Sequence, residues 1–179
     1  NITMHKLNNG IHACVFPTRC GTRWIAEKLF KNKLLDYEAP NHMINLDEYD
    51  SNLQNIMFVR NPFTRERSIF RWFKVIKKDV FEDLSFSDYV NSDLFYHEAS
   101  YVGTYQENIK LIDKFVHLEN INEFLNKTFN INEPYILDYH IPADDLDDIS
   151  VYDDNMKQKV LDKYQEDIKL INFNLTSYT

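Results

Sequence analysis

The chain has 179 residues, 44% hydrophobic and 15% aromatic, with 3 Gly and 5 Pro, which excludes a low-complexity polymer and supplies enough apolar side chains for a buried core. A formal net charge of -8 argues against a general binder of nucleic acid or anionic membranes, because such partners select a basic surface; it does not argue against a local cluster of arginines. Two cysteines, Cys14 and Cys20, make neither a disulfide scaffold nor, with scattered histidines, a zinc spacing, and no apolar run reaches the ~18 residues needed to span a bilayer. The expectation is one reduced, cytoplasmic domain over residues 1–179, with no metal; a trimmed leader stays open, since the chain starts at Asn1.

Residues 11–16 (IHACVF) are short, β-prone and uncharged, which predicts a buried strand. The strand feeds a tight loop carrying Pro17, Arg19, Gly21, Thr22 and Arg23. Trp24, Ile25, Leu29 and Phe30 then recur at helical spacing, and a helix is expected to run to about residue 33. Residues 34–38 are a candidate second strand ended by Pro40, and 41–50 read as loop or helical turn. The run IMFV over 56–59 predicts another core strand, leading through Arg60-Asn61-Pro62 into a helix over 62–77 with Pro62 at its first position. Ser85 is a candidate N-cap for a short helix over 85–91, 92–104 carries no clear pattern, and 107–112 reads as helical. A third core strand is expected over 115–118 and a helix over 121–129. An extended acidic loop follows over 134–148, then a closing amphipathic helix over 153–168 through Met156, Val160, Leu161 and Tyr164. Strand and helix alternate at least three times, which predicts an α/β domain on a small parallel sheet with ligands at the carboxyl ends of its strands.

Two strand-to-helix junctions concentrate the basic side chains. At the first, loop amides and a helix N-terminus present partial positive charge between Arg19 and Arg23. The loop is not a Walker A sequence, since GxxxxGK[ST] is missing and no Lys lies between Lys6 and Lys28. At the second, Arg60 ends a strand, and Arg65, Ser68 and Trp72 follow at i, i+3 and i+7 on one helical face. An Arg at a strand end with a Ser on the next helix can bind a phosphate through a charged fork and a hydroxyl. The ordinary alternatives are a turn in which Gly21 relieves backbone strain and a solvated basic helix surface. A parallel sheet would bring the two junctions side by side, and two anion sites imply a ligand with two separated anionic groups.

These residues resemble a known family. Arg19-Cys20-Gly21-Thr22-Arg23-Trp24 is similar to the PKSGTTW loop of sulfotransferases, which holds the 5′-phosphosulfate of 3′-phosphoadenosine 5′-phosphosulfate (PAPS). Arg60-Asn61-Pro62 with Ser68 resembles their RxPxxRxxS motif for the 3′-phosphate, and the following Ile69-Phe70-Arg71-Trp72-Phe73 resembles the carbohydrate branch. Residues 113–120 and 160–173 resemble two later segments, so the likeness covers most of the chain in order. It implies a P-loop-like three-layer sandwich, a small central parallel sheet flanked by helices, and PAPS-dependent sulfuryl transfer to a hydroxyl acceptor, a carbohydrate. The product would be 3′,5′-adenosine bisphosphate, and neither a metal nor a nucleic acid would take part. By the same resemblance Arg19 is the catalytic cation and His42 the general base, with Glu38 the other candidate. Arg19, Cys20, Gly21, Thr22, Arg23, Trp24, Arg60 and Ser68 hold the donor, Trp24 lying near the adenine.

The chain departs from the family at Thr18, a one-residue insertion after Pro17, and at Arg23, which replaces a hydroxyl residue. It also lacks the basic segment that closes over the nucleotide, as no Lys or Arg lies between Lys127 and Lys157. These departures favour the alternative of a non-catalytic module of the same fold that binds nucleotide or glycan. A second enzyme reading, a nucleotide kinase that lost its P-loop Lys, is opposed by the missing GK[ST] and the missing Mg²⁺-binding Ser/Thr that would follow it.

Overall fold

The computed structural model describes residues 4–37, 49–97, 105, 109–135 and 149–178. The chain forms two compact units, one of Asn1–Arg60 with Tyr105–Tyr139 and one of Asn61–Thr104 with His140–Thr179.

The first unit is built on the apolar runs. Strands β1 (His5–Lys6), β2 (His12–Val15), β3 (Gln54–Val59) and β4 (Lys114–His117) form a four-stranded mixed sheet in the order β1-β2-β3-β4. β2, β3 and β4 are parallel, with Cys14 opposite Ile56 and Ile56 opposite Lys114, whereas β1 pairs antiparallel with β2. The parallel core matches the α/β expectation. The edge strand β1 is an addition, and two residues are too few to show a period in sequence.

Helix α1 (Thr22–Lys31) follows β2. Cys14, Phe16, Ile56, Phe58, Val116 and Leu118 alternate onto one sheet face and cluster with Trp24, Ile25 and Leu29 of α1. Ile121, Phe124 and Leu125, from a helix over Ile121–Phe129, join the same cluster. Ala13, Met57 and Val59, on the opposite face, are also buried, which is why these strands read as continuous apolar runs.

The expected second strand is not formed over residues 34–37. Lys33 adopts φ 60, and the Leu34 N–H donates to the Leu29 carbonyl at 2.9 Å, so the chain leaves α1 through a tight turn. Leu35, at 3% exposure, fills the core from that turn without pairing in the sheet. Apolarity there reports burial, and periodicity alone does not separate a buried turn from a short strand.

Burial of Cys14 has a measurable consequence. The thiol is completely inaccessible, and burial pushes its pKa well above the ordinary value. A raised folded-state pKa gives stability that is fully present below the unfolded value of about 8.5 and is lost as pH rises past it, by up to about 1.4 kcal/mol per pH unit. Urea midpoints are therefore expected to fall from about pH 8.5 upward, and Cys14→Ala is expected to remove that early part of the slope. A wild-type midpoint constant to about pH 10 would contradict this.

The second unit opens with helix α2 (Pro62–Ile76). Asn61 caps it, its Oδ1 accepting the Phe63 N–H at 3.0 Å, and Pro62 occupies the first turn as expected. Short helices α3 (Lys78–Phe81), α4 (Phe86–Val90) and α5 (Leu94–His97) follow; Ser85 and Asp88 form a reciprocal capping box at α4. The helix at Ile121–Phe129 is α6, in the first unit. The expected helix over 107–112 is a short 3-10 turn, Ile109–Leu111, among the described residues. The closing helix divides into α7 (Asp154–Lys163) and α8 (Gln165–Leu170), broken at Tyr164. Stacked rings join Phe70 to Tyr89 and Phe63 to Tyr178, at centroid distances of 5.2 and 4.3 Å.

At the centre of this unit Glu66, with no exposed surface, accepts from Tyr164 Oη at 2.6 Å, Lys163 Nζ at 2.7 Å and Tyr89 Oη at 3.1 Å. Arg65 Nη1 donates to the Tyr164 hydroxyl at 3.1 Å. The Arg65–Ser68 helix face is thus buried and is not a solvated basic surface.

Candidate functional site at the carboxyl edge of the parallel strands

The first unit places three chain segments at the carboxyl ends of neighbouring parallel strands: the loop over 16–21 after β2, Arg60 after β3, and His117-Leu118 at the end of β4. The loop turns on two left-handed residues, Arg19 at φ 63 and Gly21 at φ 75. For Arg19 that conformation costs about 1–2 kcal/mol relative to the right-handed region. The positive φ favours glycine at position 21, and a Cβ there would also sit 2.5 Å from Cδ1 at the end of the Leu118 side chain, which would have to shift.

Gly21 is the N-cap of α1 and offers no side-chain cap; its carbonyl accepts the Ile25 N–H at 3.0 Å. The amides of Thr22, Arg23 and Trp24 precede the helical ladder and point their partial positive charge toward the loop. No acidic residue stands in the first turn of α1 to neutralise it. Thr22 Oγ1 donates to the Pro17 carbonyl at 3.1 Å, and this bond ties the two ends of the loop together.

Arg60 is 5% exposed, and its Nη1 donates to the Arg19 carbonyl at 3.3 Å. The structure thus joins the two arginine-bearing junctions that the sequence separates by 41 positions. The Arg60 main chain is held as well. Its N–H donates to Tyr105 Oη at 3.1 Å, and the Tyr105 hydroxyl approaches the Arg60 carbonyl at 3.2 Å and Cys20 Sγ at 3.2 Å.

The remaining site residues fall as follows. Arg23 is exposed on the first turn of α1. Trp24 is 4% exposed, lies in the hydrophobic core and packs edge-on against Tyr135 at 4.9 Å. Its Nε1 is buried with no hydrogen-bond partner among the described residues. Ser68, 1% exposed, belongs to α2 in the second unit. His42 and Glu38 lie outside the described residues, as do the loop over 41–48 and residues 136–148 of the acidic stretch.

Two residues to which the local sequence pattern assigns no role border this edge. His117 pairs in register with Val59, the residue before Arg60. Burial lowers its imidazole below the ordinary value, against the upward pull of Glu119. Its signal was the strand itself, because the last residue of a parallel strand faces the ligand edge. Tyr105 had no signal, as its partners stand 45 and 85 positions away.

Among the described residues no three His, Cys, Asp or Glu side chains gather as a metal site, and no helix is long and apolar enough to cross a membrane. Comparison of the chain with protein-family models, with curated proteins and with solved structures finds no match in any of the three.

Proposed function

We propose that the chain is a PAPS-dependent sulfotransferase of the sulfotransferase fold, acting on a hydroxyl acceptor of carbohydrate type. One observation carries the reading: the Arg60 guanidinium reaches the carbonyl of Arg19. The two segments that resemble the 5′-phosphosulfate loop and the 3′-phosphate motif therefore meet at the ends of adjacent parallel strands. A ligand with two anionic groups suits such a pair of arginines better than a single phosphate does.

Sulfuryl transfer passes through a loose, in-line transition state with charge on the bridging and equatorial oxygens, as phosphoryl transfer does. Arg19 and the amides opening α1 would stabilise that charge, since preorganised donors cost no rearrangement during the reaction. Arg60 would anchor the distal phosphate and fix the donor's orientation. Cys20, Gly21, Thr22 and Arg23 would line the phosphosulfate, and buried Trp24 would support the loop from the core. Ser68 enters through its sequence spacing alone, and His42 or Glu38 would accept the acceptor's proton.

Calorimetry with 3′,5′-adenosine bisphosphate tests the reading. Wild type is expected to bind, and Arg60→Ala to bind about 10–100-fold more weakly, the range for losing a charged hydrogen bond. No binding by wild type would overturn the proposal. Transfer of labelled sulfate from PAPS to a glycan panel completes the test. His42→Ala with retained binding and lost transfer would assign the base, and full activity would remove that assignment. Arg60-dependent binding with no transfer would favour the non-catalytic module, a reading supported by the absence of Lys and Arg between Lys127 and Lys157.

A further inference from the structure

We infer that Tyr105 is a positioning residue whose hydroxyl locks the Arg19 loop to the end of β3, setting the spacing of Arg19 and Arg60 before any ligand arrives. The inference deepens the nucleotide-binding reading and rests on it for the identity of the ligand, but the lock itself is a property of the protein alone.

The contacts close a ring. Tyr105 Oη accepts the Arg60 N–H at 3.1 Å and donates to the Arg60 carbonyl at 3.2 Å. It also meets Cys20 Sγ at 3.2 Å. Cys20 follows Arg19 directly, and the Arg19 carbonyl accepts from Arg60 Nη1 at 3.3 Å. The circuit therefore runs from Tyr105 to the Arg60 main chain, along the Arg60 side chain to Arg19, and through Cys20 back to Tyr105.

The phenol suits this position chemically. A tyrosine hydroxyl both donates and accepts, so it serves the Arg60 carbonyl and the Arg60 N–H together, and it also meets the Cys20 thiol, whose Sγ donates to the Thr18 carbonyl at 3.7 Å. β3 ends at Val59, so Arg60 lies just past the regular ladder, and the hydroxyl serves its main chain where a strand partner would otherwise stand. Tyr105 is 4% exposed and Cys20 has no exposed surface, so these bonds form away from water, where each counts for more.

Phenylalanine at 105 keeps the ring and removes only the hydroxyl. The two cysteines then report separately: Cys14 lies mid-strand in the core, Cys20 in the locked loop, and both are fully buried. Cleavage after Arg19 and Arg23 places them on different peptides, so alkylation of each is read by mass spectrometry on the native protein. In Tyr105→Phe, Cys20 is expected to react about tenfold faster, the ratio set by one lost hydrogen bond, with Cys14 unchanged. Affinity for 3′,5′-adenosine bisphosphate is expected to fall by about the same factor.

Equal acceleration of both thiols would mean a general loss of stability, and no acceleration would mean no lock; either overturns the inference. Selective release of Cys20 with unchanged nucleotide affinity overturns the positioning role. Wild type that binds no bisphosphate, with selective release of Cys20 in the variant, overturns the nucleotide reading and upholds the lock.

Discussion

Replacing Glu66 with alanine is expected to cost about 3–5 kcal/mol of folding stability, the range for breaking a buried ion pair by removing one partner. Glu66 has no exposed surface and receives three donors, Tyr164 Oη, Lys163 Nζ and Tyr89 Oη. Lys163 is only 12% exposed through its side chain and is held over the Phe95 ring at 4.3 Å, with its Nζ also donating to the Phe95 carbonyl at 2.9 Å. Deleting the carboxyl group leaves an ammonium near the interior and removes an acceptor from two tyrosine hydroxyls. Glu66→Gln, which keeps an acceptor oxygen, is expected to lose less than the alanine variant. Urea unfolding measures both. A loss below about 1 kcal/mol in Glu66→Ala would place the cluster with surface ion pairs and contradict the argument.

Gly21→Ala is expected to cost about 2–5 kcal/mol, summing a left-handed backbone penalty of about 1–2 and an overpacking penalty of about 1–3. The new methyl group would lie 2.5 Å from Leu118 Cδ1, and Leu118 is itself packed in the core at 6% exposure. Either the loop shifts away from β4 or Leu118 leaves its place. The double variant Gly21→Ala, Leu118→Ala separates the two contributions: it relieves the clash and keeps the backbone penalty. Its loss is expected to be smaller than the sum of the single losses, and strict additivity would show that the contact is not strained.

The same two residues show what a reader of the sequence can and cannot see. Gly21 was legible as a constrained turn before a helix, because a glycine between an apolar run and a helical period marks a special backbone position. That Leu118 presses against it was not legible, since nothing local relates positions so far apart. Glu66 sits in the charged run Arg65-Glu66-Arg67, which reads equally well as solvated surface. Only packing against Tyr89, Lys163 and Tyr164 makes its burial tolerable, and those partners stand 23, 97 and 98 positions away. Trp24 shows a placement that the local pattern does not carry. Its place in the motif suggests ligand contact, whereas the fold puts it among Ile25, Leu29 and Phe124 in the core.

Local pattern along the chain was enough for the features that arise between near neighbours. These are the continuous apolar runs that become β2, β3 and β4, the helical periods of α1, α2 and α6, the Asn61-Pro62 start of α2 and the Ser85 cap of α4. Each follows from side-chain period or from a hydrogen bond within a few residues, and such preferences act wherever the segment lies. Long-range packing was needed to see that β1 joins the edge, that residues 34–37 turn instead of pairing, and that the last helix breaks at Tyr164. The same packing brings Tyr105 to Arg60 and Cys20 beside the Arg19 loop. These outcomes depend on which distant groups meet when the apolar surface is buried, and burial fixes partners that no local pattern encodes.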